Sequence, residues 1–391
     1  YASGKVPCVV DKRGPDPYPE HDSHGQYVFL VLKAALMTGD PDIVREFYPR
    51  ALAAIDYMES LRNERMTPEY ADPASDLHRF YGILPESGSH EGYMNKPMHS
   101  FWDDFFALKG LKDIVRMAEV VGDTENLPRL IALRDDFRRC FGQAIRRAID
   151  DHDIDYIPGC VELGDFDATS TAIGIFPCGE LDWMPKPETT QTFDRYWVRA
   201  EGRIADSIPW HDYTPYEVRI IGALALMGEV ERAHALLEWL FLDILPKGWN
   251  HWAEVAYRED DFPGWIGDMP HTWVGSGFIN SVRTMLVHER QRDSALVIGL
   301  GVPEAWVVGE GISGDDFPTE YGPASFSMRR DGPKIRVSAA VRHQPPGGLV
   351  VTVPGEGRIL SASLSDGTPL PVTGREVRIA SSSFDLVVTL E

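Results

Sequence analysis

Three short stretches constrain the fold more than anything else in the chain: LKAALMTGDPDIV around Gly39-Asp40, VRMAEVVGDTENL around Gly122-Asp123 and GALALMGEVERA around Gly228-Glu229. In each, an apolar-periodic helix meets a Gly, then an acid, then a second helix. Glycine accepts the left-handed conformation that closes a helix. The acid that follows caps the next helix or favours its positive end. The chain is therefore expected to contain tight αα-hairpins, repeated at a spacing too uneven for a short-period solenoid. Helical periodicity places helices near 23–38, 42–62, 98–121, 124–149, 168–175, 188–200, 213–227, 230–243 and 272–290. The connections 63–97, 150–167 and 244–271 are long and rich in Pro, Gly and aromatics, which in a compact domain usually signals function.

Near residue 291 the texture changes. KIRVSAAV, GGLVVTV, RILSASL and SFDLVVTL are short, β-branched and separated by turn residues, the pattern of an antiparallel sandwich. The expected plan is mainly α: a helical domain over 1–290, then a β-sandwich domain over 291–391. With 391 residues, 43% hydrophobic and 25% charged, two domains of this size are ordinary. The net charge of -22 argues against nucleic acid or an anionic membrane as partner. No apolar run reaches the ~18 residues a membrane span needs. The chain begins with Tyr rather than Met, which suggests a processed product or a fragment. The localisation stays open, with the periplasm or the outside of the cell favoured. Cys8, Cys140, Cys160 and Cys178 form no CxxC pair. They are expected as buried free thiols, with a Cys160–Cys178 bridge as the alternative in an oxidising compartment.

Polar chemistry collects where five helices begin: EHDSHGQ, KPMHSFWDD, ELGDFDATST, IPWHDYTPYE and GDMPHTWVGS. All carry acids, four carry His, and Trp or Tyr recurs. One Asp or Ser is enough for a cap. If the hairpins pack side by side in one sense, these starts share a rim and the short Gly turns line the other. A ring of hairpins with one elaborate face is an (α/α)6 toroid, and that face is a pocket.

At this point the chain resembles a known group. GILPESGSHEGYMNKPMHSFWDDFFALKGLKDIVRMAEVVG is similar to the acid-bearing segment of the glucoamylase-type six-hairpin glycosidases. GDFDATST resembles their Asp-Ala-Ser helix start, and WNHWAEVAYREDDFPGWIGDMPHTWVGS their last catalytic loop. EHDSHGQYVFLV resembles their sugar-contacting helix, and the β region the C-terminal sandwich of α-L-rhamnosidases. The resemblance implies an inverting, exo-acting glycoside hydrolase acting on an oligo- or polysaccharide. The chain lacks the Trp-Glu of the glucoamylase acid loop and offers Glu86 and Glu91 instead. Six hairpins need twelve helices. Nine are legible here, so the first are expected from an upstream segment or a second chain.

Cleavage of a glycosidic bond needs two carboxyl groups across the anomeric carbon. The expected acid is Glu91, near the helix start that carries Trp102. The expected base is Glu254, between Trp252 and Tyr257. Trp102, Trp249, Trp252 and Trp273 suit stacking on sugar faces. Asp22, Asp103, Asp104, Asp165 and Asp167, with His99 and His271, suit hydroxyl binding. WDD and GDFD carry enough carboxylates for calcium but do not fit an EF-hand spacing, so no metal or cofactor is expected. Two other classes stay open. A polysaccharide lyase would use Tyr and His beside basic residues, and a non-catalytic carbohydrate-binding protein would need no paired Glu. A phosphorylase would need a phosphate loop that the sequence does not show.

Overall fold

The computed structural model describes residues 1–89, 92–242, 248, 250–259 and 264–391. The chain divides into two compact units, Tyr1–Tyr196 and Trp197–Glu391. The first opens with a small hairpin of β1 (Val10–Asp11) and β2 (Gly14–Pro15). Then come α1 (Asp22–Thr38), α2 (Pro41–Asn63), α3 (Pro68–Ala71), α4 (Phe101–Val121), α5 (Leu127–His152) and α6 (Ala168–Ile175), while α7 (Lys186–Ile204) runs across the division. The turns behave as their composition demands. Gly39 and Gly122 end α1 and α4 at φ 70° and 75°. The Asp40 carboxylate accepts from Asp42 N–H at 3.0 Å, and Asp123 accepts from Asn126 N–H at 2.9 Å.

Helix α4 is buried nearly all round, packed by α1, α2, α5 and α6. Phe101, Phe105, Phe137 and Phe141 fill the space between α4 and α5. Against α1 the approach is closer still. A Cβ on Gly25 would stand 1.9 Å from the carbonyl oxygen of Phe106, and one on Gly110 would stand 2.6 Å from Gly25 Cα. Both obstacles are backbone, so neither can rotate aside. Gly25→Ala is expected to push the two helices apart and cost about 1–3 kcal/mol, the usual range for overpacking. Urea denaturation reads this directly, and an unchanged midpoint would mean that the crossing tolerates a methyl group.

The second unit begins with the end of α7. It continues through β3 (Asp212–Tyr213), α8 (Val218–Met227), α9 (Val230–Leu242), β4 (Ala256–Tyr257) and α10 (Thr272–Leu286). Gly228 closes α8 at φ 86°. Helix α8 packs on α9 and α10, and Ser281 Oγ stitches α10 to α8 by donating to Val218 O (2.6 Å) and accepting from Gly222 N–H (3.2 Å). Strands then dominate: β5 (Val287–Arg290), β6 (Ala295–Ile298), the short α11 (Glu304–Val307), β7 (Ile312–Phe317), β8 (Ala324–Asp331), β9 (Lys334–Val341), β10 (Leu349–Thr352), β11 (Ile359–Leu364), β12 (Val372–Thr373), β13 (Glu376–Ile379) and β14 (Ser383–Leu390). They form two five-stranded sheets, ordered β12-β13-β10-β6-β5 and β11-β14-β9-β8-β7. Pairing is antiparallel except between β6 and β10. Alternate residues of β9 and β14 are buried, as a one-sided sheet requires. Their inner side chains (Val337, Leu386, Val388) join Leu296, Ile298 and Val351 of the other sheet in one core. Helices thus precede a region of sheet.

Several expected boundaries move. The helix expected over 272–290 stops at Leu286, because Val287–Arg290 pair with Ala295–Ile298 as a strand. The β-branched Val287 enters the sheet core, and burial there alternates with period two. The sheet region therefore starts at 287 rather than 291. Helix α4 starts at Phe101 instead of 98, since Met98 and Ser100 are held in bridges to Ser87 and Cys160. Helix α8 starts at Val218 after a 3-10 turn over Pro215–Glu217. Two four-residue helices, α3 and α11, were not expected. All four cysteines are free thiols. Among the described residues no helix is long and apolar enough to cross a membrane.

Candidate functional site

In the first unit the starts of α1 and α4 come together. Trp102 Nε1–H donates to Asp22 Oδ2 at 2.8 Å, and Gln26 donates to the same oxygen at 2.6 Å. Asp103, 1% exposed, receives the hydroxyls of Ser87 and Ser89 and the His21 N–H. Burial, reinforced by the charge of Asp22, pushes the Asp103 carboxyl up to about 8. Asp104 serves a different place: it accepts from Leu84 N–H at 3.0 Å, and burial raises it well above the usual carboxylate range. Asp104 therefore braces the 84–89 segment from inside, whereas Asp22 and Asp103 form a close acidic pair. The neighbouring imidazoles of His21 and His24 are pressed down to about 3 and about 4, chiefly by burial.

These groups set opposing pH dependences. A carboxyl held protonated to about pH 8 in the folded chain ionises near ~3.9 when unfolded, so folding retains an extra proton and stability falls as pH rises through that interval. The depressed histidines act the other way, losing their contribution as pH falls below 6.5 toward 4 and 3. Between pH 6.5 and 8 Asp103 acts without that opposition. Asp103→Asn is expected to flatten the decline of stability in this window by up to about 1.4 kcal/mol per pH unit. Urea titrations at three pH values measure it. A slope identical to the unsubstituted chain would mean that Asp103 is ionised there.

The 86–100 connection carries a second cluster. His99 Nδ1 lies 2.7 Å from Glu162 Oε1, and Nε2 accepts from Arg65 Nε at 3.2 Å. The His99 ring stacks on Phe80 with centroids 3.9 Å apart. Arg65 is also paired with Glu86. Burial works to raise the Glu86 carboxyl, but a backbone hydrogen bond and Arg65 outweigh it and hold Glu86 below its usual range. Glu86 is thus a standing carboxylate. Glu91 and His90 lie outside the described residues, as does Trp249.

A third group gathers around Gly159. Tyr93 O–H donates to Asp165 Oδ2 at 2.7 Å, and Asp165 Oδ1 accepts from Cys160 N–H at 3.2 Å. A Cβ on Gly159 would meet Tyr93 Oη at 2.7 Å and Asp165 Oδ2 at 2.8 Å. Asp167 caps α6 through Ser170 N–H at 3.0 Å and takes the Thr169 hydroxyl at 2.6 Å. Ser89 Oγ donates to Ser100 Oγ at 2.8 Å, and Ser100 is bridged to Cys160. Asp22, Trp102, Asp103, His99 and Asp165 are therefore tied into one polar region of this unit.

In the second unit Glu254 is half-buried. Its backbone N–H meets Ile266 O at 3.1 Å, and its Oε2 accepts from Asp268 N–H at 3.4 Å. Thr214 Oγ1 donates to Glu254 O at 3.3 Å, and β3 pairs with β4 beside it. His271 N–H meets Trp252 O at 3.4 Å, and its Nε2 is 2.5 Å from Tyr216 Oη. The Arg219 guanidinium lies over the Tyr216 ring at 4.4 Å and the Trp273 ring at 5.0 Å. Trp273 is 38% exposed. Trp252 is packed inside: it donates to Leu240 O at 3.0 Å and lies against Phe278 at 5.1 Å. Tyr216, Arg219, Arg65 and Glu162 escaped the sequence reading. Tyr216 had a signal, since it stands in IPWHDYTPYE, but nothing local marks Glu162 as the partner of His99.

A scan against protein-family models finds no match, and no curated protein matches the chain by sequence. Solved structures do match. The α-L-rhamnosidase of Dictyoglumus thermophilum aligns over 100% of this chain and 42% of its own, at 12% identity and TM-score 0.58. The Streptomyces avermitilis α-L-rhamnosidase complexed with L-rhamnose aligns over 100% of this chain and 35% of its own, at 12% identity and TM-score 0.55. The Aspergillus terreus α-L-rhamnosidase aligns over 98% and 41%, at 16% identity and TM-score 0.54. The chain spans about two-fifths of the length of these structures. Along its whole length, the fold of this chain is like that of the α-L-rhamnosidases, the resemblance its motifs carry.

Proposed function

We propose that the chain is the catalytic portion of an exo-acting glycoside hydrolase that releases an L-rhamnose-like sugar with inversion, Glu91 serving as general acid and Glu254 as general base. The observation that carries this reading is the whole-length likeness to three α-L-rhamnosidases. The chemistry of the residues supports it. Buried or half-buried carboxyls at helix starts suit hydroxyl recognition. Glu86, held ionised by Arg65, is a poor proton donor, which leaves Glu91 for that role. In this reading the helices to Leu286 belong to an (α/α)6-toroid domain, and the sheets from Val287 form a β-sandwich domain. Nine long helices among the described residues fall short of twelve, and we assign the rest to an upstream segment or a second chain. A cleft of about 440 Å³ lined by Leu237, Glu238, Phe241, Phe278 and Val282 is a largely apolar surface that such helices would cover. A crystal structure with the ring closed by residues 1–391 alone would end that part of the proposal.

The test is hydrolysis of aryl and natural α-L-rhamnosides, with NMR reading the anomer formed first. Inversion is expected, and the retained anomer would overturn the mechanism. One observation favours a second reading. Tyr216 and His271 in contact, with Arg219 beside them, is an arrangement suited to proton abstraction next to a uronate. Rising absorbance at 235 nm on a uronate polysaccharide, without hydrolysis of rhamnosides, would replace the glycosidase with a lyase.

A further inference from the structure

The segment that clasps Glu254 also presents an unburied indole. Trp265 is 64% exposed, whereas Trp252 and His271 in the same loop are 5% and 7% exposed. Its main chain is nonetheless held by hydrogen bonds. Trp265 O accepts from Tyr257 O–H at 3.0 Å. The next carbonyl, Ile266 O, accepts from the N–H groups of both Glu254 and Val255, at 3.1 and 3.2 Å. Gly267, at φ +69°, lies so close that a Cβ there would fall 2.1 Å from Glu254 Oε2. A clamped backbone next to the proposed base thus carries a large apolar ring that stays mostly exposed. Ile266 beside it is 36% exposed, which extends the apolar surface.

Resting on the glycosidase reading, we propose that Trp265 is the platform for the leaving group of the substrate, a flat group with an apolar face. Exposure sets the assignment. In an exo-acting pocket the sugar being released is enclosed, and the group it leaves behind protrudes. A ring at the rim meets the part that protrudes. Either the C–H face of a neighbouring sugar or an aromatic aglycone offers the required surface, and an indole supplies a broad one at little conformational cost.

The experiment compares wild type, Trp265→Ala and Trp265→Phe on a rhamnosyl disaccharide, an aryl rhamnoside and rhamnosyl fluoride, which has no leaving-group ring. Trp265→Ala is expected to raise KM about 3–10-fold on ring-bearing substrates, with little change in kcat, and by less on the fluoride. Trp265→Phe should recover most of the loss. A selective loss on the disaccharide assigns a sugar to the platform, and one on the aryl glycoside assigns an aromatic group. Equal loss on all three, or none on the ring-bearing pair, overturns the proposal. If wild type turns over none of them, fluorescence titration with the disaccharide separates the outcomes. Binding weakened by Trp265→Ala keeps the platform and discards the hydrolase, whereas no binding discards both.

Discussion

Glu254→Gln is expected to lower turnover of a natural rhamnoside about 10²–10⁴-fold, the usual cost of losing a general base. Glutamine keeps the shape. It fits against Gly267, and its amide oxygen still accepts from Asp268 N–H. What it loses, on the proposed mechanism, is the capacity to take a proton from the attacking water. The loss should therefore persist on rhamnosyl fluoride, whose leaving group needs no acid. Glu91→Gln should differ in that respect, failing on the natural substrate and recovering on the fluoride. Inverting enzymes place the two carboxyl groups ~6.5–9.5 Å apart to admit the water. Near-normal turnover by Glu254→Gln would remove it as base. If Glu91→Gln stays active while Glu86→Gln is dead, the acid moves to Glu86, against the ion pair with Arg65.

Arg203→Ala is expected to destabilise the second unit by about 3–5 kcal/mol, the cost of stripping a buried charge of its partner. Arg203 and Glu217 are 4% and 8% exposed and meet through two N–H···O contacts. The guanidinium also lies over Tyr213 and Trp239 at 5.5 and 5.1 Å. Glu217 closes the turn that carries Thr214 and Tyr216, so the pair also fixes what touches Glu254 and His271. Removing both charges should be far milder than removing one. Arg203→Met with Glu217→Leu is expected to regain most of the stability. Urea midpoints of Arg203→Met, Glu217→Leu and the double form a cycle. A double variant as unstable as Arg203→Ala would show that the arginine acts through packing alone.

The long helices were legible because their evidence is local: apolar periodicity inside the helix and a Gly-acid pair at its end. Val287–Arg290 misled for the converse reason. Its periodicity is too short to separate from the helix before it, and only pairing with Ala295–Ile298 decides its state. At the site, residue types at helix starts announced polar chemistry but not partners. Asp103 and Asp104 are adjacent in sequence and nearly equal in burial. One helical step sends the first to Ser87 and Ser89 and the second to Leu84 N–H. Trp252 looked like a sugar platform because it sits in a Trp-rich loop, yet its N–H is taken by Leu240 O. The exposed Trp265, thirteen residues later, carries no such mark, because exposure is not written in a single sequence.

The glycine crossing of α1 and α4 reaches beyond packing. Gly25 lies one turn after Asp22, and Phe106, whose carbonyl it touches, lies one turn after Asp103. Main chain meets main chain there, so the separation of the two acidic residues is set by a contact without rotamers. The crossing acts as a jig. Loops that do not touch Asp22 or Asp103 can be lengthened, shortened or exchanged while the spacing of the pair stays where the helices fixed it. Anyone reshaping this protein has more freedom in the loops away from 84–89 and 254–268 than at position 25.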